Sequence, residues 1–128
     1  MSAYTFGSYL RQLRNSRKPS ITQEQLACAI GRSKMTICQF EQGKNAPPQG
    51  ELLENIVTAL NLDSNEEDTL RFLAAENRCT IPGDIEEYFF KNPSIYKAIR
   101  RAKKAEKKDS DWDKVADLFG GKNEEENR

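Results

Sequence analysis

The chain of 128 residues contains no histidine. That excludes Ser-His-Asp and Cys-His catalysis and removes the commonest transition-metal ligand. Cysteine is sparse: Cys28, Cys38 and Cys79 are odd in number, and none is spaced C-x-x-C. They offer no zinc or dithiol redox site, and a reduced, cytoplasmic protein is the plain expectation. There is no long apolar run, so no membrane span is expected. The opening MSAYTFGSYLRQ lacks the apolar region of a secretory signal. Strand-like alternation, internal repeats and a phosphate-cradling glycine loop are all missing, and no carboxylate cluster is aimed at a substrate. The expectation is a protein that is not an enzyme and uses no cofactor or metal.

Net charge is also absent: 20 basic and 20 acidic residues cancel. The distribution along the chain matters more than the total. Residues 1–50 hold seven basic residues against two acidic ones, and residues 51–90 hold two against ten. Residues 91–108 hold eight basic residues against one acidic, and the tail from 109 holds three against seven. A nucleic-acid-binding protein needs a basic face rather than a basic total. The first fifty residues supply one.

What is present is helical punctuation. Thr5 can cap a first helix over about 6–16, with Phe6, Tyr9, Leu10 and Leu13 as its apolar stripe. Arg11, Arg14 and Arg17 lie off that stripe, as solvated charge or as phosphate contacts. Thr22 caps a second helix, with Gln25 at the capping-box position. It runs to Ile30 and turns Leu26, Ala27 and Ile30 inward. Ser33 caps a third helix over 34–42, ended by Gly43. A fourth spans about 49–60, with Leu52, Leu53, Ile56, Val57 and Leu60 on its apolar face and Asn61 as a left-handed cap. Ser64 and Glu67 form a second capping box for a fifth helix at 65–76, with Leu70, Phe72 and Leu73 as buried candidates.

The stretch Thr22–Gly43, TQEQLACAIGRSKMTICQFEQG, carries the most information. Two helices joined by three or four residues must cross closely, so the contact position wants a small side chain, which Ala27 provides. The turn wants a residue that tolerates positive φ, and Gly31 does so without steric cost. Ile37 and Phe40 lock the third helix to the second. Lys34, Met35, Cys38, Gln39 and Gln42 are then left facing outward. A free helix face of amides and a lysine suits the DNA major groove.

These residues bring a family into view. Phe6-Gly7-x-Tyr9-Leu10-Arg11-x-Leu13-Arg14, Thr22-Gln23-x-x-Leu26-Ala27, Gly31-x-Ser33, Ile37-x-x-Phe40-Glu41-x-Gly43 and Leu53-x-x-Ile56-x-x-Ala59-Leu60-x-Leu62 resemble the Xre-type helix-turn-helix family of phage repressor and Cro proteins. The resemblance covers residues 6–75. It implies an all-α, five-helix DNA-binding domain over 1–78 and a homodimer on a palindromic site. Carried over by position, Ser33, Lys34 and Met35 begin the base-reading face, and Cys38, Gln39 and Gln42 continue it. Gln23 should touch phosphate at a helix N-terminus. Lys44 and Asn45 should contact the DNA backbone, as should Arg11 and Arg14. By their chemistry, Lys34 favours guanine and Gln39 adenine, or either holds a phosphate. Met35 can pack on a thymine methyl. Met35 and Cys38 hydrogen-bond poorly, so readout also draws on DNA shape.

Beyond the hinge Ile81-Pro82-Gly83, a helical C-terminal extension is expected over 81–119, for dimerisation or partner binding. Asp84 caps a short helix over 85–91 with Ile85, Tyr88 and Phe89 on one stripe. Asn92 and Pro93 start another, with Ile95, Tyr96, Ile99 and Ala102 inward. Trp112, Val115, Ala116 and Phe119 mark a last one. The extension resembles tails on some bacterial members of the family, in the form P-x-D-I-x-x-Y-(x)4-P-x-I-(x)3-I. Its basic run 97–108 is a second DNA arm, or a solvated helix pairing with the acidic block 51–90 or with a neighbour's acidic tail. Residues 120–128 should be disordered. Cys28 and Cys79 read as packing residues, and Cys38 as a small residue that fits the groove rather than a redox switch. The expected function is a DNA-binding transcriptional regulator, a repressor on its operator. The alternative is an antitoxin-like or phage-encoded module whose extension grips a protein partner while the N-terminal domain autoregulates.

Overall fold

A computed structural model describes residues 4–78 and 80–120. Among them are eight helices and no strand: α1 Phe6–Ser16, α2 Gln23–Ile30, α3 Lys34–Gln42, α4 Gly50–Leu60, α5 Ser64–Arg78, α6 Gly83–Lys91, α7 Pro93–Lys104 and α8 Asp109–Leu118. The fold is all-α. The chain divides into two compact units, Met1–Pro82 and Gly83–Arg128.

In the first unit the helix starts are chemically encoded. Thr5 caps α1 by accepting from the Ser8 amide, and the Ser8 hydroxyl answers by accepting from the Thr5 amide. Thr22 and Gln25 form the expected reciprocal box on α2. Ser33 caps α3, and Gly43 ends it in the left-handed region. Asn61 takes the same role after α4 at φ 51. The fifth start is shifted from expectation. Asp63, not Ser64, accepts from the Glu66 amide at 2.8 Å, and Glu66 rather than Glu67 accepts from the Asp63 amide at 3.1 Å. A carboxylate is the stronger acceptor at a helix N-terminus, so the helix begins one residue earlier.

The core is continuous. Phe6, Leu10, Leu13, Leu26, Ala27, Ile30, Ile37, Phe40, Leu53, Ile56, Leu60, Leu70 and Leu73 are buried in one cluster, with Leu52 and Val57 packed against it. Phe6 and Phe40 meet edge to face, 6.4 Å between centroids. Phe72 corrects the expectation of burial: it is 45% exposed. At 100° per residue it points away from the side that Leu70, Leu73 and Ala74 share. Cys28 is likewise exposed rather than packed, and Cys79 lies outside the described residues. In the loop after α3, Pro47 and Pro48 are both buried. Arg78 donates to the Pro47 carbonyl, which ties the end of α5 to that loop.

Gly7 is demanded by packing. A Cβ there would meet the backbone carbonyls of Phe40 and Glu41, the Glu41 oxygen at 2.5 Å. The first helix therefore lies directly on the end of α3. Electrostatic ties complete the unit. Arg71 bridges Glu54 of α4 at 2.5 Å and Glu67 at 2.9 Å. Arg17, expected as solvated charge or as a phosphate contact, is half-buried against protein acceptors. It pairs with Glu66 at 2.6 Å and donates to the Leu60 carbonyl at the end of α4.

The second unit is built differently. None of its described residues is fully buried. Phe89 stacks edge-on with Phe90 and with Tyr96, joining α6 to α7. Of the expected stripes, Phe89, Ile95, Ala102 and Val115 are half-buried, while Ile85, Tyr88, Tyr96, Ile99 and Phe119 are exposed. Asn92 does not cap α7 with its side chain, which donates to the Tyr88 carbonyl instead. Residues 121–128 of the expected tail lie outside the described residues.

Gly7→Ala should lower stability by about 1–3 kcal/mol in denaturant unfolding, because a methyl has no room against two carbonyls. The Arg17 guanidinium holds the Glu66 carboxyl below its ordinary value of 4.5, with the Asp63 amide helping and burial opposing. A lowered carboxylate stabilises the fold above its unfolded pKa. That contribution disappears as pH falls through the lowered folded value. Glu66→Gln should therefore be less stable than the parent at neutral pH and lose less stability on acidification below about pH 4.5. Thermal melts across pH 2–7 measure the difference.

Candidate nucleic-acid interface

The turn between α2 and α3 sets the site. Gly31 sits at φ 69, and its amide reaches the Cys28 carbonyl at 3.2 Å while the Arg32 amide reaches the Ala27 carbonyl at 2.9 Å. A β-carbon at that φ would be strained even though the space around it is open. Buried Ala27, Ile37 and Phe40 then fix α3 against the rest of the unit.

With Ile37 and Phe40 turned in, one arc of α3 remains. At 100° per residue, Lys34, Cys38, Gln42, Met35 and Gln39 fall in sequence over about 140° of its circumference. Lys34, Met35 and Gln42 are exposed, Met35 at 62%. Cys38, within the same arc, and Gln39, at its far edge, are half-buried. Gln39 is oriented: its side-chain oxygen accepts from the Asn45 amide group at 2.8 Å. The Asn45 and Lys44 backbone amides also reach the Gln39 carbonyl. Lys44 and Asn45 are exposed beside the end of α3. Ser33 is exposed, but its hydroxyl accepts from the Thr36 amide at 3.2 Å and lies 3.1 Å from the Thr36 hydroxyl. It is engaged in starting the helix.

The flank of α3 next to the Lys34 end of that arc holds the residue that sequence reasoning missed. Glu41 accepts from Arg14 Nε at 2.7 Å and from Arg14 Nη2 at 2.9 Å. It also accepts from Gln23 Nε2 at 3.0 Å. Both charged side chains are buried, 9% and 4% exposed. Arg14 further donates to the Ile21 carbonyl at 2.9 Å. The expectation for Arg14 is thereby corrected: it lies inside the molecule with its donors directed to protein acceptors, not on the surface. Its angular position, one turn from Leu10, puts it at the edge of the stripe rather than off it. Gln23 is half-buried and oriented by Glu41, and Arg11 alone of the first helix's expected phosphate contacts is fully exposed. Sequence could suggest Glu41 only through its place beside Phe40, because nothing local pairs it with a residue 27 positions away.

Among the described residues no group of histidine, cysteine or carboxylate side chains is arranged to hold a metal ion. No described helix is long and apolar enough to cross a membrane.

Replacing Glu41 with Ala leaves Arg14 buried without its counter-ion. That change should cost about 3–5 kcal/mol. Arg14→Ala/Glu41→Ala should cost clearly less than the two single losses added together, as a double-mutant cycle by urea unfolding would record.

Comparison with known proteins agrees with this geometry. Residues 5–70 match the model of the helix-turn-helix domain family, over α1 to α4 and the first half of α5. No curated protein and no solved structure matches the chain. With half of its length matched, a tight α2–α3 turn and an outward arc of polar side chains on α3, the chain belongs to the helix-turn-helix domain family.

Proposed function

We propose that this protein is a cytoplasmic, Xre-type transcriptional regulator, a repressor that occupies a palindromic operator as a homodimer. The helix-turn-helix domain makes it a DNA-binding regulator in kind. The carrying observation is the arc on α3. It combines a cation at Lys34, an apolar knob at Met35 and an oriented amide at Gln39, with Gln42 and Cys38 between them. Lys34 matches the acceptors of guanine, Gln39 the donor–acceptor pair of adenine, and Met35 a thymine methyl. Asn45 restrains Gln39 before DNA arrives, which lowers the ordering cost of the contact.

Backbone contacts fall to Arg11, Lys44, Asn45 and Gln23. Ser33 helps by presenting the start of α3, whose free amides and positive end favour a phosphate. Arg14 has the supporting role of holding Glu41 and, through it, Gln23. A palindromic site needs two such helices about 34–36 Å apart, one DNA turn, which a symmetric pair of protomers supplies.

A second reading, that the C-terminal extension also grips a protein partner, draws support from exposed apolar residues there. Phe90 is 72%, Leu118 82% and Phe119 77% exposed. Removing residues 81–128 separates the two readings. Operator binding survives if the extension serves a partner, and fails if the extension makes the dimer.

Selection of bound duplexes from a random pool should return a two-fold symmetric site. Lys34→Ala and Gln39→Ala should each weaken binding to it by about 1–3 kcal/mol and relax preference at one base position per half-site. Unchanged base preference in both variants would refute the assigned readout.

A further inference from the structure

The basic helix of the second unit is not absorbed by this reading. On α7, Lys97, Arg100, Arg101 and Lys104 follow one another at spacings of three, one and three. That pattern places them on one face, opposite Ile95, Ile99 and Ala102. All four are exposed. The unit also carries many carboxylates, among them Asp84, Glu86, Asp111 and Asp113. Yet among the described residues none of the four basic side chains stands in an ion pair; the unit's one ion pair there is Lys91 with Glu87 at 3.0 Å. Arg100 is held by its neighbour: its Nε donates to the Tyr96 hydroxyl at 2.8 Å, and its guanidinium lies 5.3 Å from the ring centroid.

The opposite face decides which polyanion suits the helix. Tyr96 is joined to α6 by its edge contact with Phe89, and Ile95 and Ala102 are half-buried. A helix that lies in a bilayer surface offers its apolar face to lipid. Here that face is partly spent within the unit, and the free face is the cationic one. From Lys97 to Lys104 the helix advances about 10 Å, at about 1.5 Å per residue. A duplex presents about six phosphates over that length with both strands counted, about three along each strand. The four cations are therefore matched in number by the phosphates that the two strands offer over the same length.

We infer that α7 is a second, sequence-independent DNA contact, in which Lys97, Arg100, Arg101 and Lys104 hold the phosphate backbone of the duplex bound by the helix-turn-helix domain. The inference rests on the reading of that domain as a duplex-DNA binder. Tethering supplies the gain: once α3 is engaged, α7 meets nearby phosphates at high effective concentration. Phosphate contacts add affinity and fix position, but leave sequence choice to α3.

The test uses the full chain with Lys97→Gln/Arg101→Gln/Lys104→Gln, and the single variants Lys97→Gln and Lys104→Gln. Arg100 is spared because it braces Tyr96. Affinity is measured against salt on a selected duplex and on a random duplex of equal length. Far-UV circular dichroism follows helicity. Each lost phosphate contact should make the slope of log affinity against log salt shallower by about 0.9, so about 2.7 per bound protomer for the triple variant. The selected base sequence should stay the same. The single variants, each a neutral exchange at an exposed helical position, keep the result independent of any unfolding in the triple. An unchanged slope in all three variants overturns the inference. Binding to phosphatidylglycerol vesicles that the triple variant loses, with its DNA slope unchanged, assigns α7 to an anionic membrane instead. If the parent selects no sequence at all, the regulator reading fails, while the slope on random duplex still reports on α7.

Discussion

The Arg14–Glu41 pair is the interaction on which the DNA-binding unit turns. Glu41 lies on the inner side of α3, and its carboxylate receives two donors from α1 and one from Gln23 at the start of α2. Arg14 spends a further donor on the Ile21 carbonyl in the segment leading into α2. One buried carboxylate thus fixes three helices to one another. Hydrophobic contacts at Ile37 and Phe40 hold α3 in place, but apolar packing is tolerant of small rotations. A bidentate guanidinium–carboxylate pair is directional. It gives α3 a defined rotation about its own axis, and that rotation decides which residues face out.

The same constraint explains Gly7. Because Glu41 is drawn toward α1, the backbone at Phe40–Glu41 approaches that helix closely enough to leave no room for a side chain. Packing and electrostatics therefore agree at one point of contact. A misfit at Gly7 and a missing charge at Glu41 disturb the same helix by different physics.

The two units divide their chemistry. The first buries a continuous apolar cluster and has no buried side-chain polar atom without a partner among the described residues. The second has no fully buried residue among those described and holds α6 to α7 by aromatic edges such as Phe89–Tyr96. Among its described residues Lys91 pairs with Glu87, while the four cations of α7 stay exposed and outside any ion pair. A chain whose formal charge sums to zero thereby keeps separate charged surfaces.

Much of this was legible in the residues. The caps at Thr5, Thr22 and Ser33, the glycine turn at Gly31 and the stripe Phe6-Tyr9-Leu10-Leu13 act over one or two helical turns, and each appears as read. The outward face of α3 follows from the same periodicity. The structure departs from the local pattern where two signals compete, as with Asp63 over Ser64, or where amphipathic spacing meets too little neighbouring surface, as with Ile85 and Tyr88. Phe72 shows that an aromatic beside a stripe is not part of it.

Sequence by itself determined the helices, the ends of α1 to α4 and the turn that sets α2 against α3, because capping and periodicity are short-range. Only the tertiary structure decided that Arg14 is interior, that Glu41 joins three helices, that Arg17 closes on Glu66, and that Gln39 is steadied by Asn45. The charge pairs in that set link residues far apart in the chain. Their partners are chosen by which side chains the packed helices bring within hydrogen-bond distance, and no local pattern encodes that choice.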